Sequence, residues 1–189
     1  MRILTVLLFV LINSIAFGQQ VFKKKKSLLG SPFEITVVAT DSIQANSYID
    51  LAVLEVKRIE NLISDWIPTT QISKVNQNAG IAPVKVDLEV YELVERATKI
   101  SKLTSGAFDI SYASMDKIWK FDGSMKEMPT PEAIKKSVEK VGYQNIILNP
   151  KDTTIFLKNQ GMKLGLGGIG QGYIADRIKI ALQEKGCTS

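Results

Sequence analysis

The first third of the chain carries two different hydrophobic patterns. Residues 33–39 are rich in β-branched side chains and partly alternate between apolar and polar positions, which predicts a β-strand. Residues 21–29 predict a partner strand, joined to the first by a turn at residues 30–32. From Asp41 or Ser42 onward, apolar positions recur at the spacing of one helix face. These positions are Ala45, Ile49, Ala52, Val53, Val56, Ile59 and Ile63.

The middle of the chain predicts three more helices. One begins at Asp87 and stops at Gly106, and a short one covers residues 112–121. The third begins at Thr130, where a capping residue, a proline and an acid follow one another, and it ends at Gly142.

Strands return in the last third. Residues 146–148 and 154–157 predict a hairpin around residues 149–152, and a short strand is expected at Met162. A final helix follows, with Gly186 as its C-terminal stop. Its inward positions are Ile174, Ile178, Ala181 and Leu182.

This order of elements predicts an α+β fold with an antiparallel or mixed sheet and packed helices, rather than a regular βαβ alternation. The chain ends three residues after Gly186, where another strand would complete the sheet. We therefore expect residues 19–189 to be the N-terminal part of one α+β domain that is incomplete at its C-terminus.

Composition narrows the possible chemistry. The chain has no histidine, which excludes a histidine triad, a histidine base and histidine metal ligands within it. Cys187 is the only cysteine, so an intramolecular disulfide and a cysteine zinc cluster are excluded as well. Catalysis would have to use carboxylates, hydroxyls, lysines, backbone dipoles or a hard cation with oxygen ligands.

The N-terminus resembles a secretion signal. Arg2 is followed by an apolar run over residues 3–12 and by a small-x-small cleavage pattern at residues 16–18. The run is shorter than the roughly 20 residues of a membrane-spanning helix. We expect residues 1–18 to be removed as a signal peptide and the protein to be exported. Since no cysteine follows the run, lipid attachment there is not expected.

The formal net charge is only +5. Residues 23–26 are four consecutive lysines, but aromatic residues do not interleave with them. A solvated strand edge kept soluble by lysine is therefore the preferred interpretation, and nucleic acid is not an expected partner.

The strongest candidate site is a glycine-rich segment, residues 165–172, with five glycines in eight residues. Such a segment before a helix lets backbone N–H groups converge on an anion, which predicts a phosphate or pyrophosphate site. Two alternatives stay open. The segment satisfies the G-x-G-x-x-G pattern of a Rossmann dinucleotide fold, and close packing of a helix on a sheet would explain one or two of the glycines.

Two further segments offer candidate ligand groups. In residues 104–110 a helix ends at Gly106, after which Phe108 offers apolar surface and Asp109 can accept from a ribose hydroxyl or an amine. Trp66 follows the long helix and could stack on a planar ligand. Each has a plainer interpretation: the first as a capped turn, and Trp66 as a cover for the edge of the core.

Taken together, these segments resemble the ApbE family of FAD:protein FMN transferases. Gly-Ala-Phe-Asp-Ile at residues 106–110 matches a family motif, and Ile-Trp-Lys-Phe at residues 118–121 is similar to its Leu-Trp-Gly-Phe. Leu-Gly-Gly-Ile-Gly-Gln-Gly-Tyr at residues 166–173 resembles Leu-Gly-Gly-Ile-Ala-Lys-Gly-Tyr. Residues 29–31 and 64–76 resemble the family's Met-Gly-Thr and its aromatic loop with a following Ser-Glu-Ile-Ser-x-Leu-Asn segment.

The resemblance implies a Mg²⁺-dependent transfer of FMN from FAD to a Ser or Thr hydroxyl of an acceptor flavoprotein, with release of AMP. It also implies an exported protein in the periplasm or at the inner membrane, near the membrane through its acceptor. The backbone carbonyl of Gly168 would face the metal, and catalytic side chains are not identified. The residues implied to contact FAD are Leu29, Trp66, Ala107, Phe108, Asp109, Gly165 and Gln171.

Two alternative functions remain. Gly165 and Gln171 stand where the family usually has Asp and Lys, and the family's C-terminal metal ligands have no counterpart in these residues. A non-catalytic, extracytoplasmic FAD-binding protein would fit those departures. A Rossmann-type NAD(P) oxidoreductase is the other alternative.

Overall fold

The computed structural model describes residues 18–119 and 122–187, so residues 1–17 of the expected signal peptide lie outside it. None of the described helices is both long and apolar enough to cross a bilayer. The strands are β1 (Gln20–Leu28), β2 (Ser31–Ala39), β3 (Val84–Lys85), β4 (Ile146–Asn149) and β5 (Thr154–Leu157). The α-helices are α1 (Ser42–Ile63), α2 (Gln71–Gln77), α3 (Leu88–Leu103), α4 (Pro131–Ser137) and α5 (Gly167–Glu184), and 3₁₀ turns cover Ile110–Ser114 and Tyr143–Asn145.

The chain divides into two compact units. In the first, which holds the described residues up to Lys57 and from Ala175 onward, β1 and β2 form the predicted antiparallel hairpin, paired from Gln20↔Ala39 to Leu28↔Ser31. The turn is Leu29-Gly30, shorter than expected, and both residues have positive φ (53° and 69°). Two such residues make the kind of tight turn whose twist matches that of the flanking strands.

The core of the first unit joins the hairpin to two helices. Side chains from one face of β2 pack with α1 and with the C-terminal end of α5, as the hydrophobic pattern predicted. The Asp41 carboxylate caps α1 by accepting from the N–H groups of Ile43 (2.8 Å) and Gln44 (2.9 Å). Gly186 ends α5 with φ of 84°. The buried members of this core are Ile35, Val37, Ala39, Ala45, Tyr48, Ile49, Ala52, Leu182 and Cys187.

The second unit, residues 58–174, contains an antiparallel sheet in the order β3-β5-β4. The predicted hairpin of β4 and β5 is confirmed, with Ile146 opposite Leu157. Helix α2 contacts β5, and α3 contacts β4 and both 3₁₀ turns. The α+β class with antiparallel strands is thus confirmed. The largest fully buried side chains here are Ile59, Ile72, Val75, Val90, Ile110, Ile155, Leu157, Met162, Leu164 and Ile174.

The short helix predicted over residues 112–121 is wrong in its described part. A 3₁₀ turn covers Ile110–Ser114, and Met115 is already extended, with φ −68° and ψ 136°. Residues 115–119 are not helical, and residues 120 and 121 lie outside the described part. The hydrogen bond from the Ser111 N–H to the Asp109 carboxylate caps the 3₁₀ turn, and this local bond competes with the formation of an α-helix.

Two predicted helix ends were also too late. Helix α3 ends at Leu103 because Ser105 and Gly106 both adopt positive φ, and α4 ends at Ser137. The Ser137 carbonyl accepts from the Asp116 N–H (3.2 Å), a tertiary partner in place of a further helical donor. The predicted start of α4 is confirmed, since the Thr130 hydroxyl accepts from the Ala133 N–H (3.2 Å).

The strand expected at Met162 does not form. Residues 163–165, here called the clamped segment, pair with no strand. Asn76 donates to the Leu164 carbonyl (3.0 Å) and accepts from the Leu164 N–H (2.7 Å). The Ser114 hydroxyl bonds in the same way to both backbone groups of Lys163. Side chains therefore take the place of a neighbouring strand.

Candidate functional site

The glycine-rich segment is the start of a helix rather than a loop. Helix α5 begins at Gly167, and its first turn closes as the N–H groups of Ile169 and Gly170 donate to the Leu166 carbonyl (3.1 and 2.7 Å). The sequence analysis placed residues 165–172 before the helix, and this is corrected, because most of the segment lies within it. A helix start still presents N–H groups without intrahelical acceptors and the positive end of the helix dipole. The N–H groups of Gly167 and Gly168 are the ones placed there.

Close packing explains several of these glycines. A Cβ on Gly165 would lie 3.0 Å from Ala113 Cβ and 3.1 Å from the Tyr112 ring, and one on Gly170 would lie 3.1 Å from Ile63 Cδ1. At Gly168 a Cβ would lie 3.3 Å from Phe108. By contrast, nothing lies within 4 Å of a Cβ on Gly172. The packing interpretation is therefore correct for part of the segment, and it brings two aromatic rings against the helix start.

Asp109 has a structural task. One carboxylate oxygen accepts from the Ser111 N–H (2.8 Å) and hydroxyl (2.7 Å), and the other accepts from the Tyr143 N–H (2.9 Å). The side chain is half-buried. A carboxylate can accept about four hydrogen bonds and these use three, so acceptor capacity for a ligand remains. The predicted contact of Asp109 with FAD stays a prediction.

The segment carrying Asp109 is tied to the glycine-rich segment through the main chain. The Gly165 N–H donates to the Ile110 carbonyl (2.8 Å). Ala107 is exposed, and the Phe108 ring is half-buried beside Gly168. Two of the segments that the sequence singled out, residues 106–110 and 165–172, therefore adjoin one another in the second unit.

Trp66 is 79% exposed, so the interpretation that it covers the edge of the core is wrong. The loop that carries it is nevertheless anchored: the Ser64 carbonyl accepts from the hydroxyls of Thr70 (2.6 Å) and Ser73 (3.3 Å). A tryptophan left this open gives up about 3–5 kcal/mol of possible burial free energy. An anchored loop that displays an indole to solvent is typical of a binding surface.

Tyr112 and Lys117, which the sequence analysis did not select, connect the Trp66 loop to the rest of the site. Burial and the nearby Asp65 carboxylate raise the pKa of the Tyr112 phenol above its ordinary value. The Lys117 ammonium lies 4.8 Å from the centroid of the Trp66 ring. The Tyr112 ring in turn lies against Gly165. The sequence analysis assigned both residues to the incorrectly predicted helix over residues 112–121 and gave them no role in the site. No sequence signal marks Lys117.

An ion-pair network braces the start of α5. The two terminal guanidinium nitrogens of Arg58 donate to the two carboxylate oxygens of Glu89 (2.7 and 2.8 Å). The Tyr173 hydroxyl donates to Glu89 as well (2.7 Å). A small cavity of about 110 Å³ lies beside this network, lined by Glu89, Glu92, Leu93, Arg96 and Tyr173. The network therefore joins α1, α3 and α5 beside the glycine-rich helix start.

The remaining predicted contacts are placed as follows. Gln171 is exposed on α5. Leu29 belongs to the first unit, half-buried at the β1–β2 turn. Gly168 lies in the first turn of α5, where the helical pattern directs its carbonyl toward the Gly172 N–H and leaves one lone pair for another partner. All three predicted contacts stay predictions. Across residues 18–119 and 122–187, no group of three or more His, Cys, Asp or Glu side chains could hold a metal ion.

The Rossmann alternative is wrong. Every strand pair that the structure describes is antiparallel, whereas a Rossmann fold requires parallel βαβ units. In addition, the clamped segment before α5 is not a strand. The G-x-G-x-x-G pattern here therefore arises in a different fold.

Comparisons with known proteins concern the family and the fold. A profile of the ApbE family matches residues 29–189. An FAD:protein FMN transferase of Klebsiella pneumoniae is 28% identical over 166 residues, which are 88% of this chain and 51% of that protein. An FAD:protein FMN transferase of Treponema pallidum is 31% identical over 112 residues, 57% of this chain and 31% of that protein.

A solved structure gives the same result for the fold. The crystal structure of the ApbE protein from Thermotoga maritima superposes with a TM-score of 0.74 at 29% identity and covers 87% of this chain and 53% of that one. The flavin transferase ApbE from Vibrio cholerae, at 19% identity and a TM-score of 0.74, shares the fold. This chain spans about half the length, or less, of the relatives it matches.

Proposed function

Because the chain belongs to the ApbE family, we propose that it binds FAD and takes part in the transfer of FMN to an acceptor protein. The observation that carries this proposal is the meeting of three segments in the second unit. The exposed Trp66 loop, the Phe108–Asp109 turn and the glycine-rich start of α5 are linked through Tyr112 and Lys117. An aromatic platform beside a helix start suits a ligand with both a planar ring and a diphosphate.

In this proposal each segment recognises a different part of FAD. Trp66 stacks on a planar ring, and the N–H groups of Gly167 and Gly168 at the start of α5 donate to the diphosphate, next to the main chain of Gly165. Phe108 and Ala107 supply apolar contact, and Asp109 uses its remaining acceptor capacity. Gln171 adds a further contact, and the contact of Leu29, which belongs to the first unit, stays an implication of the resemblance.

The transfer itself is a phosphoryl-type substitution. A Ser or Thr hydroxyl of the acceptor forms a bond to the phosphorus of the FMN half, the bond from that phosphorus to the bridging oxygen breaks, and AMP leaves while the hydroxyl loses its proton. Such a reaction depends chiefly on positioning and on neutralising negative charge, so it can proceed without a histidine. No side chain of the described residues is assigned as the base.

Dependence on Mg²⁺ belongs to the proposal as well, and the ion would supply charge neutralisation at the diphosphate. Mg²⁺ takes six oxygen ligands in octahedral geometry. The described residues offer the Gly168 carbonyl and no acidic cluster, so they do not by themselves fit a complete magnesium site. We therefore derive no step through the ion.

The proposal also includes export and placement in the periplasm or at the inner membrane. It further includes an acceptor flavoprotein that brings the chain near the membrane. They are supported by the signal-like N-terminus without a lipidated cysteine and by the resemblance. Nucleic acid has no part in it.

Incubation of the full chain with FAD, Mg²⁺ and a purified flavodomain acceptor tests the proposal. Covalent flavin fluorescence on the acceptor after denaturing electrophoresis, with AMP released in equal amount, is the expected result. An acceptor whose target hydroxyl is replaced is the matched control. Retention of FAD without labelling of the acceptor would favour the non-catalytic FAD-binding protein. Absence of FAD binding would contradict both.

A further inference from the structure

We propose that Lys117 is a positioning residue for flavin binding: it holds the indole of Trp66 by one face so that the other face is presented to the planar ring of FAD. The inference rests on the proposed function and deepens it. Lys117 is not among the residues that the sequence or the resemblance assigned to the site.

The geometry of the pair carries the first step. The Lys117 ammonium lies 4.8 Å from the centroid of the Trp66 ring, within the range of a cation–π interaction. Trp66 is nevertheless 79% exposed, so the lysine covers only a small part of the indole. One face is contacted by the ammonium, and ample ring surface remains for a second planar group.

Both partners stand on backbone that hydrogen bonds hold in place. The Trp66 N–H donates to the Ser64 hydroxyl (3.3 Å), and Thr70 fixes the Ser64 carbonyl (2.6 Å). On the other side, the Asp116 N–H donates to the Ser137 carbonyl (3.2 Å) and the Ile118 N–H donates to the Asp116 carbonyl (2.8 Å). Lys117 lies between these two bonds.

Without such a contact, an exposed indole would lose side-chain rotamer freedom only when a ligand binds. Ordering a side chain in advance removes that entropic cost from binding and raises affinity without any direct contact to the ligand. The indole of Trp66 has the geometry for stacking, and Lys117 selects one of its orientations. The remaining exposed surface of the site is aromatic as well, since Tyr112 is 49% exposed.

Lys117→Met is the primary variant, because it keeps the length of the side chain and removes the charge. We expect the Kd for FAD to rise about two- to fivefold, in keeping with an exposed cation–π contact. Lys117→Arg, which retains the contact, should stay within about twofold of the wild type. Lys74→Met, an exposed lysine on α2, is the matched control for loss of one positive charge.

A double-mutant cycle separates positioning from direct binding. In a Trp66→Ala background, Lys117→Met should leave the Kd for FAD unchanged, because the residue it positions is gone. If the loss persists in that background, or if Lys117→Met binds FAD normally while the wild type binds, the inference is overturned and the proposed function stands. If the wild-type chain does not bind FAD, both are overturned.

A ligand-free measurement tests the contact itself. The chain has two tryptophans, so in a Trp119→Phe background the emission comes from Trp66 alone. Removing Lys117 should raise the acrylamide quenching of that emission, and Lys117→Arg should restore it. Equal quenching in all three variants would overturn the inference.

Discussion

The β1–β2 hairpin and the clamped segment show two different ways of holding an extended chain. In the hairpin the inward-directed backbone groups of each strand bond to the other strand, from Gln20↔Ala39 to Leu28↔Ser31. In residues 163–165 the same backbone groups bond instead to the side chains of Asn76 and Ser114 and to the Ile110 carbonyl. The hairpin is encoded within its own sequence. The clamped segment depends on residues 49 and 88 positions away, and it leads directly into the candidate site.

The comparison shows that the segment leading into the candidate site is held mainly by hydrogen bonds to two individual side chains. A hairpin can lose one side chain and keep its ladder of main-chain bonds. The clamped segment has no such ladder, so removal of either side chain leaves backbone groups of the segment without their hydrogen-bond partner.

Asn76→Ala should give the largest loss of stability. It removes both bonds to Leu164 and leaves two backbone groups without partners beside a fully buried side chain, for a cost of roughly 2–4 kcal/mol. Urea denaturation measures the free energy of unfolding, and Lys74→Ala on the exposed face of α2 is the control. A loss below that of the control would mean that the clamp does not support the segment.

Asp109→Ala should give the next largest loss of stability, about 1–3 kcal/mol, because it removes the cap of the 3₁₀ turn and the bond to Tyr143. We also expect weaker FAD binding. Asp109→Asn keeps an oxygen for Ser111 and should lose less stability. An unchanged FAD titration of the folded Asp109→Ala protein would remove Asp109 from the binding site and leave it a structural residue.

Gly165→Ala and Gly172→Ala form a matched pair in the glycine-rich segment. At Gly165 a methyl group meets Ala113 and the Tyr112 ring at 3.0 and 3.1 Å, which should cost about 1–3 kcal/mol. At Gly172 the space is open and the residue is helical, so alanine should stabilise by up to about 1 kcal/mol. Thermal unfolding of the two variants should therefore shift in opposite directions. Shifts of the same sign would contradict the packing explanation.

Trp66→Ala should leave stability within about 0.5 kcal/mol, because the side chain is exposed. Its effect should appear in binding, where loss of one stacking contact of about 1–3 kcal/mol raises the Kd for FAD roughly 5- to 150-fold. Ile81→Ala, another exposed apolar residue of the second unit, is the control. Wild-type affinity in the Trp66 variant would mean that the indole has no part in flavin binding.

Asp65→Asn should have the smallest effect, a lowering of the Tyr112 pKa toward its ordinary value of 10.0. Burial is the larger cause of the raised pKa, so only part of the shift should disappear. Because the folded pKa lies above the unfolded one, the stability contributed by this phenol is present below pH 10.0 and is lost as pH rises through the folded pKa.

Alkaline titration of tyrosinate absorbance, with Tyr112→Phe subtracted, measures this pKa. Asp116→Asn, an exposed acid on the following segment, should leave the titration of Tyr112 unchanged. The same shift in both variants would show that net charge, and not the proximity of Asp65, raises the pKa.

The elements that could be predicted from sequence are those whose signal is local. Alternation over β2, the helical stripe of α1, the Thr130-Pro131 start of α4 and the turn between β4 and β5 each combine a period with its own boundary residues. The error over residues 112–121 arose because Asp109 caps the 3₁₀ turn locally and is itself tied to the Tyr143 N–H, a tertiary contact that helical periodicity does not reveal.

The candidate site divides in the same way. Its motifs, Gly-Ala-Phe-Asp-Ile and the glycine-rich segment, were visible in the sequence because they are contiguous. The sequence did not show that these motifs adjoin in space. It also did not show the contributions of Tyr112 and Lys117, because those residues contact segments that are far away along the chain.

By itself, therefore, the sequence determined the α+β class, most helix and strand starts, the family motifs and the exclusion of histidine and disulfide chemistry. All of these follow from short-range periods, residue types and composition. Only the tertiary structure decided that the glycine-rich segment is a helix start packed against aromatic rings, that Trp66 faces solvent, and that Asn76 and Ser114 replace a strand. Those outcomes depend on contacts between residues tens of positions apart, which are fixed by packing and by the need to satisfy buried backbone groups.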